Sequence, residues 1–327
     1  MKRFALIGAA GYVAKRHMRA IEQTNNTLVA ALDKSDSVGV IDSYFPEADF
    51  FTEFERFDRH IEKLKRQDGR RIDYVSICSP NYLHDAHIRF ALRVGADAVC
   101  EKPLVLNPWN VDALASMESE SGRKVYNILQ LRLHPAIIAL KQDVESSNRT
   151  KKYDIDLSYI TARGRWYRFS WKGDVCKSGG IATNIGIHFF DTLIWIFGPV
   201  QDTCVHLCEP TRAAGLMELQ NARVRWFLSI DPADLPGGPA GKPSKTFRSI
   251  RIGPDEVDFS DGFDDLHTSS YAHILSGRGF GLQEARPAVE AAYCIRHAKP
   301  VGLRGDYHPF LLRSRREAFA GAIGAQA

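Results

Sequence analysis

Two stretches of the chain carry residue types that can do acid–base chemistry. The first is Ala98-Val99-Cys100-Glu101-Lys102-Pro103-Leu104, an apolar run that stops on a carboxylate, an ammonium group and a proline. In an open parallel sheet, ligands lie just past the carboxyl ends of strands, so this order puts Lys102 at a crevice mouth. Pro103 fixes the turn and holds the lysine's backbone extended. A lysine there, beside a cationic ligand group, is a candidate acid or base, because a neighbouring positive charge and partial desolvation both lower its pKa. The second stretch runs from Ser178 to Asp191, where Gly179 and Gly180 open an expected helix. On it Asn184, His188 and Asp191 recur at spacings of four and three, near one face. Each residue alone has a plainer reading, a solvated lysine or a core histidine. The surrounding elements decide between them.

Phe4 to Ile7 reads as a buried strand, followed by Gly8-Ala9-Ala10-Gly11-Tyr12-Val13-Ala14 and a helical stretch from Lys15 to Gln23. In that position a glycine turn lets the backbone around Gly8, Gly11, Tyr12 and Val13 approach a pyrophosphate at a helix N-terminus. The spacing is G-x-x-G-x-x-A, with Ala9 where the fingerprint's first glycine falls. A second strand, Thr27 to Leu32, ends on Asp33, whose carboxylate can accept from both adenosine ribose hydroxyls and repels a 2′-phosphate. NAD is therefore expected over NADP, with Lys34 keeping the latter open. The strand Ile72 to Cys78 delivers Ser79, Asn81 and His84 to the cofactor side, and Glu101 and Lys102 follow from the next strand. With helices expected at Phe57 to Arg66, His84 to Val94 and Pro108 to Gly122, and a strand at Lys124 to Leu129, the pattern is regular βα alternation. It predicts an α/β fold: a Rossmann doubly wound parallel sheet over residues 1–125.

Past Leu131 the pattern changes. Strand candidates at Tyr153 to Thr161, Val200 to Leu207, Ala213 to Leu219 and Asn221 to Ser229 are joined by short turns. They predict a second, α+β domain over 126–327, built on an open-faced, largely antiparallel sheet. Leu235 to Pro243 reads as a loop insertion and Ala285 to His297 as a helix.

A chain of 327 residues accommodates two domains, and a net charge of +4 without a long Lys/Arg block gives no expectation of nucleic-acid binding. The excess could favour an anionic small molecule. Phe4-Ala5-Leu6-Ile7 is too short for a signal-peptide core, and no later segment is read as a membrane span, so a cytoplasmic protein without membrane insertion is expected. The six cysteines form no CxxC pair and are expected as buried, reduced thiols. Cys204, His206 and Cys208 alternate along one strand face, but no second ligand cluster completes a tetrahedral site, and no metal is expected.

With the glycine turn and His17 behind it, Ser79-Pro80-Asn81 with His84, Glu101-Lys102-Pro103 and the Gly-Gly…Gly-x-His-x-x-Asp helix, the sequence resembles the glucose-fructose oxidoreductase and inositol dehydrogenase family over nearly its whole length. The resemblance implies a nicotinamide-dependent dehydrogenase of a sugar carbon in which Lys102 and His188 flank the reacting hydroxyl. The family often has an aspartate where this chain has Asn184. Within the family, Ile7 to Ile21, Asn127 to Pro135 and Gly180 to Gly186 look most like the UDP-N-acetylglucosaminuronate 3-dehydrogenases. These make a 3-keto sugar on the way to a diacetamido-uronic acid of lipopolysaccharide O-antigen. That resemblance implies a UDP-linked uronic acid as substrate and 2-oxoglutarate as an optional reoxidant; the exposed sheet face of the second domain is expected to pair with another subunit, in a homotetramer. Gln130, Arg132, Arg163, Arg165, Asn184, His188 and Lys102 are the expected substrate contacts, with Arg168 beside them. Forked guanidinium donors suit a carboxylate and a diphosphate. Trp166, Tyr167 and Trp171 could pack a sugar or uracil face, although core aromatics are commoner. His188 or Lys102 is the base. Rival readings are a dehydrogenase of another sugar or inositol, an NAD-dependent glycosidase and a non-catalytic NAD-binding sensor.

Overall fold

The computed structural model describes residues 1–147, 151–236, 245–257 and 265–312. The chain divides into two compact units, Met1–His134 with Gly262–Val289, and Pro135–Asp261 with Glu290–Ala327.

The first unit holds six strands, β1 (Arg3–Ile7), β2 (Thr27–Leu32), β3 (Asp49–Phe51), β4 (Tyr74–Ile77), β5 (Asp97–Cys100) and β6 (Val125–Asn127), in the order β3-β2-β1-β4-β5-β6. All pairs are parallel. Because the winding direction reverses between β1 and β4, a crevice opens past their carboxyl ends. Helices α1 (Ala14–Gln23), α2 (Phe54–Lys65), α3 (His84–Arg93) and α4 (Pro108–Ser121) make the crossovers. On α1 the buried residues Ala14, Met18 and Ile21 form a stripe at helical spacing, joined by His17. Residues Phe4 to Ile7 are buried on both faces of β1, as a central parallel strand requires. Pro108 starts α4, and Gly122, at φ +63°, caps it in the left-handed region.

The second unit is built on β7 (Tyr153–Thr161), β8 (Val200–Cys208), β9 (Arg212–Leu219), β10 (Ala222–Ser229), β11 (Thr246–Ile252) and β12 (Asp255–Val257), ordered β12-β11-β7-β10-β9-β8. Among the described pairs only β7 with β10 is parallel; the others are antiparallel. Its described helices begin with α5 (Pro135–Ser146), α6 (Trp166–Phe169), α7 (Val175–Ser178) and α8 (Ile187–Phe197). One sheet face packs α8 through Phe190 on Trp226 and Phe189 on Tyr159. The next residue of β10, Phe227, points the other way and meets His308 and Phe310. Two further helices close the described chain, α9 (Leu266–Leu275) in the first unit and α10 (Leu282–His297), within which the division between units falls.

Several expectations change. Strands β11 and β12 and helix α9 were not read from the sequence. Of the loop expected at Leu235 to Pro243, only Leu235 and Pro236 lie within the described residues. Cys176, Cys208 and Cys294 are exposed, against the expectation of buried thiols, although all six cysteines are free. One helical run, Val175–Phe197, is by length and composition apolar enough to cross a membrane, against the reading that no segment is. Its apolar window is 83% buried inside the protein, because it is the helix that the sheet packs against.

Candidate active site

The glycine turn of the first unit is built by close approach. Gly8 sits at φ +92°, and a Cβ there would lie 2.6 to 2.8 Å from backbone atoms of Cys78 and Ser79. The ends of β1 and β4 therefore meet backbone to backbone. Ala10 N–H donates to Asp33 Oδ2 and Ser35 N–H to Oδ1, both at 2.9 Å, which fixes the β2 carboxylate at the rim of this turn. Tyr12 is exposed, and Val13, the residue before α1, makes no side-chain cap. A bare helix start, a glycine cradle that a side chain would fill and an anchored acid fit a dinucleotide.

Past β4, Ser79 Oγ lies 2.8 Å from His87 Nδ1, and Asn81 is buried. His84 departs from expectation. It is fully buried, with Nδ1 2.7 Å from the Pro103 carbonyl and Nε2 2.9 Å from the Ser79 carbonyl. The two ring nitrogens face backbone carbonyls past β5 and β4, and a neutral ring, with one N–H, donates to one of them at a time. Burial pushes its pKa down, opposed by the two carbonyls.

Glu101 also turns inward. Its Oε1 lies 3.0 Å from Nε2 of both His17 and His267, and its Oε2 accepts the Lys102 backbone N–H at 3.2 Å. Burial alone would raise this carboxyl, but the hydrogen bonds and the electrostatic attraction of His17 and His267 together hold the group well below the usual range. His17 is held down chiefly by burial. Its Nδ1 is 2.8 Å from Tyr271 Oη, which lies 2.6 Å from Ser76 Oγ. The Glu101 carboxylate is thus engaged by two histidines of its own unit, and Lys102 beside it is half-buried. Gln130 is buried, and its Oε1 has no hydrogen-bond partner among the described residues, the kind of polar atom a ligand satisfies. Arg132, expected as a substrate donor, is buried with Nη2 donating to the Glu284 carbonyl at 2.9 Å and its guanidinium over the Phe280 ring.

In the second unit the expected helix is not regular. Ala182–Gly186 forms a π turn before α8 begins, which shifts Asn184 out of the phase that a spacing of four gives on a straight α-helix. Asn184 is buried and its Nδ2 donates to Tyr167 Oη. His188 stands half-buried in the first turn of α8, and Asp191 is buried one turn on. Gly186 is required by packing, since a Cβ there would lie 2.5 Å from Leu228 Cδ1 and 2.9 Å from Phe190 Cε2. Arg163, Arg165 and Arg168 are exposed, as a role toward a ligand requires. Tyr167 is a core residue, 2% exposed, whereas Trp166 is 55% exposed. Lys172, which the sequence did not single out, lies 4.5 Å from the Trp171 ring centroid and 5.7 Å from that of Trp166. Burial and then Arg163 push its pKa down. His206 Nε2 lies 3.0 Å from the Arg304 carbonyl, which gives that histidine a partner other than Cys204 and Cys208.

Sequence reasoning missed His267, Tyr271 and Ser76, and took His17 only as part of the glycine-turn motif. The available signal was the apolar spacing of Leu266, Tyr271 and Ile274, all buried on α9.

Two family models match. The oxidoreductase family's NAD-binding Rossmann fold matches residues 2–128, and its C-terminal alpha/beta domain matches 149–231. Among solved structures, the WlbA (WbpB) dehydrogenase from Thermus thermophilus is 50% identical, with a TM-score of 0.91 over 95% of this chain and 100% of that one. It has been solved with NAD and alpha-ketoglutarate and with NAD and UDP-GlcNAcA. The Bordetella pertussis WlbA dehydrogenase shares the fold, at 18% identity and a TM-score of 0.74 over 93% of this chain and 98% of that one. Curated relatives match over shorter spans. The D-glucoside 3-dehydrogenase of Escherichia coli (strain K12) is 29% identical over 38% of this chain and 36% of its own length. The inositol 2-dehydrogenase of Rhizobium meliloti (strain 1021) is 26% identical over 65% of this chain and 61% of its own.

Proposed function

The chain belongs to the Gfo/Idh/MocA oxidoreductase family, and from that premise we propose that it oxidises the C3 hydroxyl of UDP-N-acetyl-D-glucosaminuronic acid to the 3-keto sugar. The observation that carries the reading is the 50% identity, along 95% of the chain, to a dehydrogenase solved with NAD and UDP-GlcNAcA. NAD+, when bound, accepts the hydride from C3. The first unit's glycine turn, Asp33, Ser79 and Asn81 hold the dinucleotide. His188 takes the hydroxyl proton, and Lys102 donates a hydrogen bond to the developing oxyanion, with the reverse assignment of base open to the same test. Asn184 stands where relatives often carry an aspartate, so it orients the substrate by hydrogen bonding without adding a second charge. Gln130 offers its free carbonyl oxygen, and Arg163 and Arg165 offer forked donors to the uronate carboxylate and the diphosphate. Arg132, already bonded to the Glu284 carbonyl, keeps fewer donors for such a role.

In the same reading NADH is reoxidised by 2-oxoglutarate, which is reduced to the 2-hydroxy acid; the Thermus thermophilus relative solved with NAD and alpha-ketoglutarate supports this. The protein then works in the cytoplasm as a homotetramer, on a route to a diacetamido-uronic acid of lipopolysaccharide O-antigen.

The test is absorbance at the reduced-nicotinamide band after mixing protein, NAD+ and UDP-N-acetylglucosaminuronic acid, with and without 2-oxoglutarate. Reduction with this sugar and none with UDP-N-acetylglucosamine is the expected result. Full activity on a neutral polyol, bond cleavage without NADH, or silence with NAD bound would overturn it in favour of another dehydrogenase, a glycosidase or a sensor respectively.

A further inference from the structure

The polar groups buried behind Lys102 exceed what a strand end needs. Ser76, Tyr271, His17, Glu101 and His267 come from β4, α9, α1, the end of β5 and α9 again, and all are under 10% exposed. Their hydrogen bonds run in one consistent direction. Nε2–H of His17 and Nε2–H of His267 donate to Glu101 Oε1 at 3.0 Å each. With its Nε2 a donor and its ring neutral, His17 accepts the Tyr271 hydroxyl proton at Nδ1, 2.8 Å away, and Tyr271 accepts from Ser76 at 2.6 Å. Each of these contacts is satisfied, so the network specifies one geometry where an apolar filling would specify none. Its link to the proposed chemistry is Glu101 Oε2, which accepts the Lys102 N–H.

We propose that His17, His267 and Tyr271 are positioning residues for Lys102: by fixing the Glu101 carboxylate as a rigid anion, they hold the Lys102 backbone where its ammonium group can serve the substrate. The proposal rests on the reading of Lys102 as catalytic. It adds α9, which lies over 160 positions away in sequence, to the machinery of the β5 end. The rival is a divalent cation, since the three ligand atoms of His17, Glu101 and His267 lie within 4.8 Å of one another. Direct donation at 3.0 Å accounts for both histidines without an ion.

The experiment compares wild type, His267→Leu, His267→Gln, Tyr271→Phe and Lys102→Ala for kcat, KM, melting and metal content. Gln places an amide N–H near the position of Nε2, and Phe keeps the ring while removing one oxygen. His267→Leu and Tyr271→Phe are expected to lower kcat about tenfold or more while leaving KM for NAD+ within about twofold, and His267→Gln to recover most of the loss. If His267→Leu fails to fold, Tyr271→Phe decides. Full kcat in Tyr271→Phe or a folded His267→Leu, with Lys102→Ala inactive, overturns the positioning role and leaves the proposed reaction standing. Turnover retained by Lys102→Ala overturns the catalytic reading instead. About one metal ion per wild-type chain, lost with His267→Leu, overturns the hydrogen-bonded network. Nitrogen-15 spectra read the network independently of activity: an Nε2–H donor on each histidine, with Nδ1 of His17 unprotonated, is expected, and an imidazolium at His17 overturns it.

Discussion

The two units fix their candidate catalytic side chains by different forces. Lys102 follows a strand end held by directional bonds: Glu101 on its backbone N–H, and His84 on the carbonyl of Pro103. His188 sits on a helix held by volume, between buried Ile187 and Phe189 and two residues after Gly186, which is seated under Leu228 and against Phe190. Hydrogen bonds set a direction but depend on protonation; packing is indifferent to pH but intolerant of added atoms. The first unit is therefore expected to yield to acid and loss of donors, the second to a methyl group.

The largest effects test whether both units carry chemistry. Lys102→Ala is expected to lower kcat about 10³-fold with NAD+ binding unchanged by calorimetry. His188→Ala is expected to lower kcat about 10²-fold. An equal and small loss in both would break the comparison at its root. Next comes volume. Gly186→Ala is expected to cost about 1–3 kcal/mol of stability by overpacking, read as a lower denaturant midpoint, and a neutral result would mean that the helix is not held by fit.

The least localised effect is the pH dependence. Burial lowers His87 in the first unit to about 4, with His84 adding to it, and burial lowers His308 in the second to about 4. Both folded values lie below the unfolded 6.5, so the unfolded state binds more protons between them. The stability is present above pH 6.5 and falls as pH drops toward 4, by about 1–2 kcal/mol per group at pH 5. His17 and His84 are lowered in the same direction, and the depressed Glu101 is destabilised by protonation at still lower pH. Hydrogen exchange at pH 5 against pH 7 is thus expected to accelerate more in β4 and β5 than in α8. Equal acceleration would remove the contrast.

Much of the site was legible because it is local. Strand, glycine turn, helix, strand and Asp33 lie close together in sequence, and the Gly8 turn and the anchored Asp33 follow from that order. Sequence reading went astray where one residue's use depends on remote neighbours. The histidine and the glutamate of two motifs, His84 and Glu101, were read toward a cofactor, and what the sequence did not show is that their side chains also face Pro103, Ser79, His17 and His267. The π turn at Ala182–Gly186 escaped because nothing in a spacing of four residues shows that the helix widens there.

The sequence by itself determined the βα alternation, the place of Lys102 at a strand end, the phosphate-type turn and the second, strand-rich half, since hydrophobic period and glycine position act over a few residues. Only the tertiary structure decided which polar groups face inward. A histidine looks the same in sequence whether it touches a ligand or a buried carboxylate, and burial removes water as the alternative partner. That choice is made when α9 brings His267 and Tyr271 to Glu101 and His17, a contact between segments that no local pattern encodes.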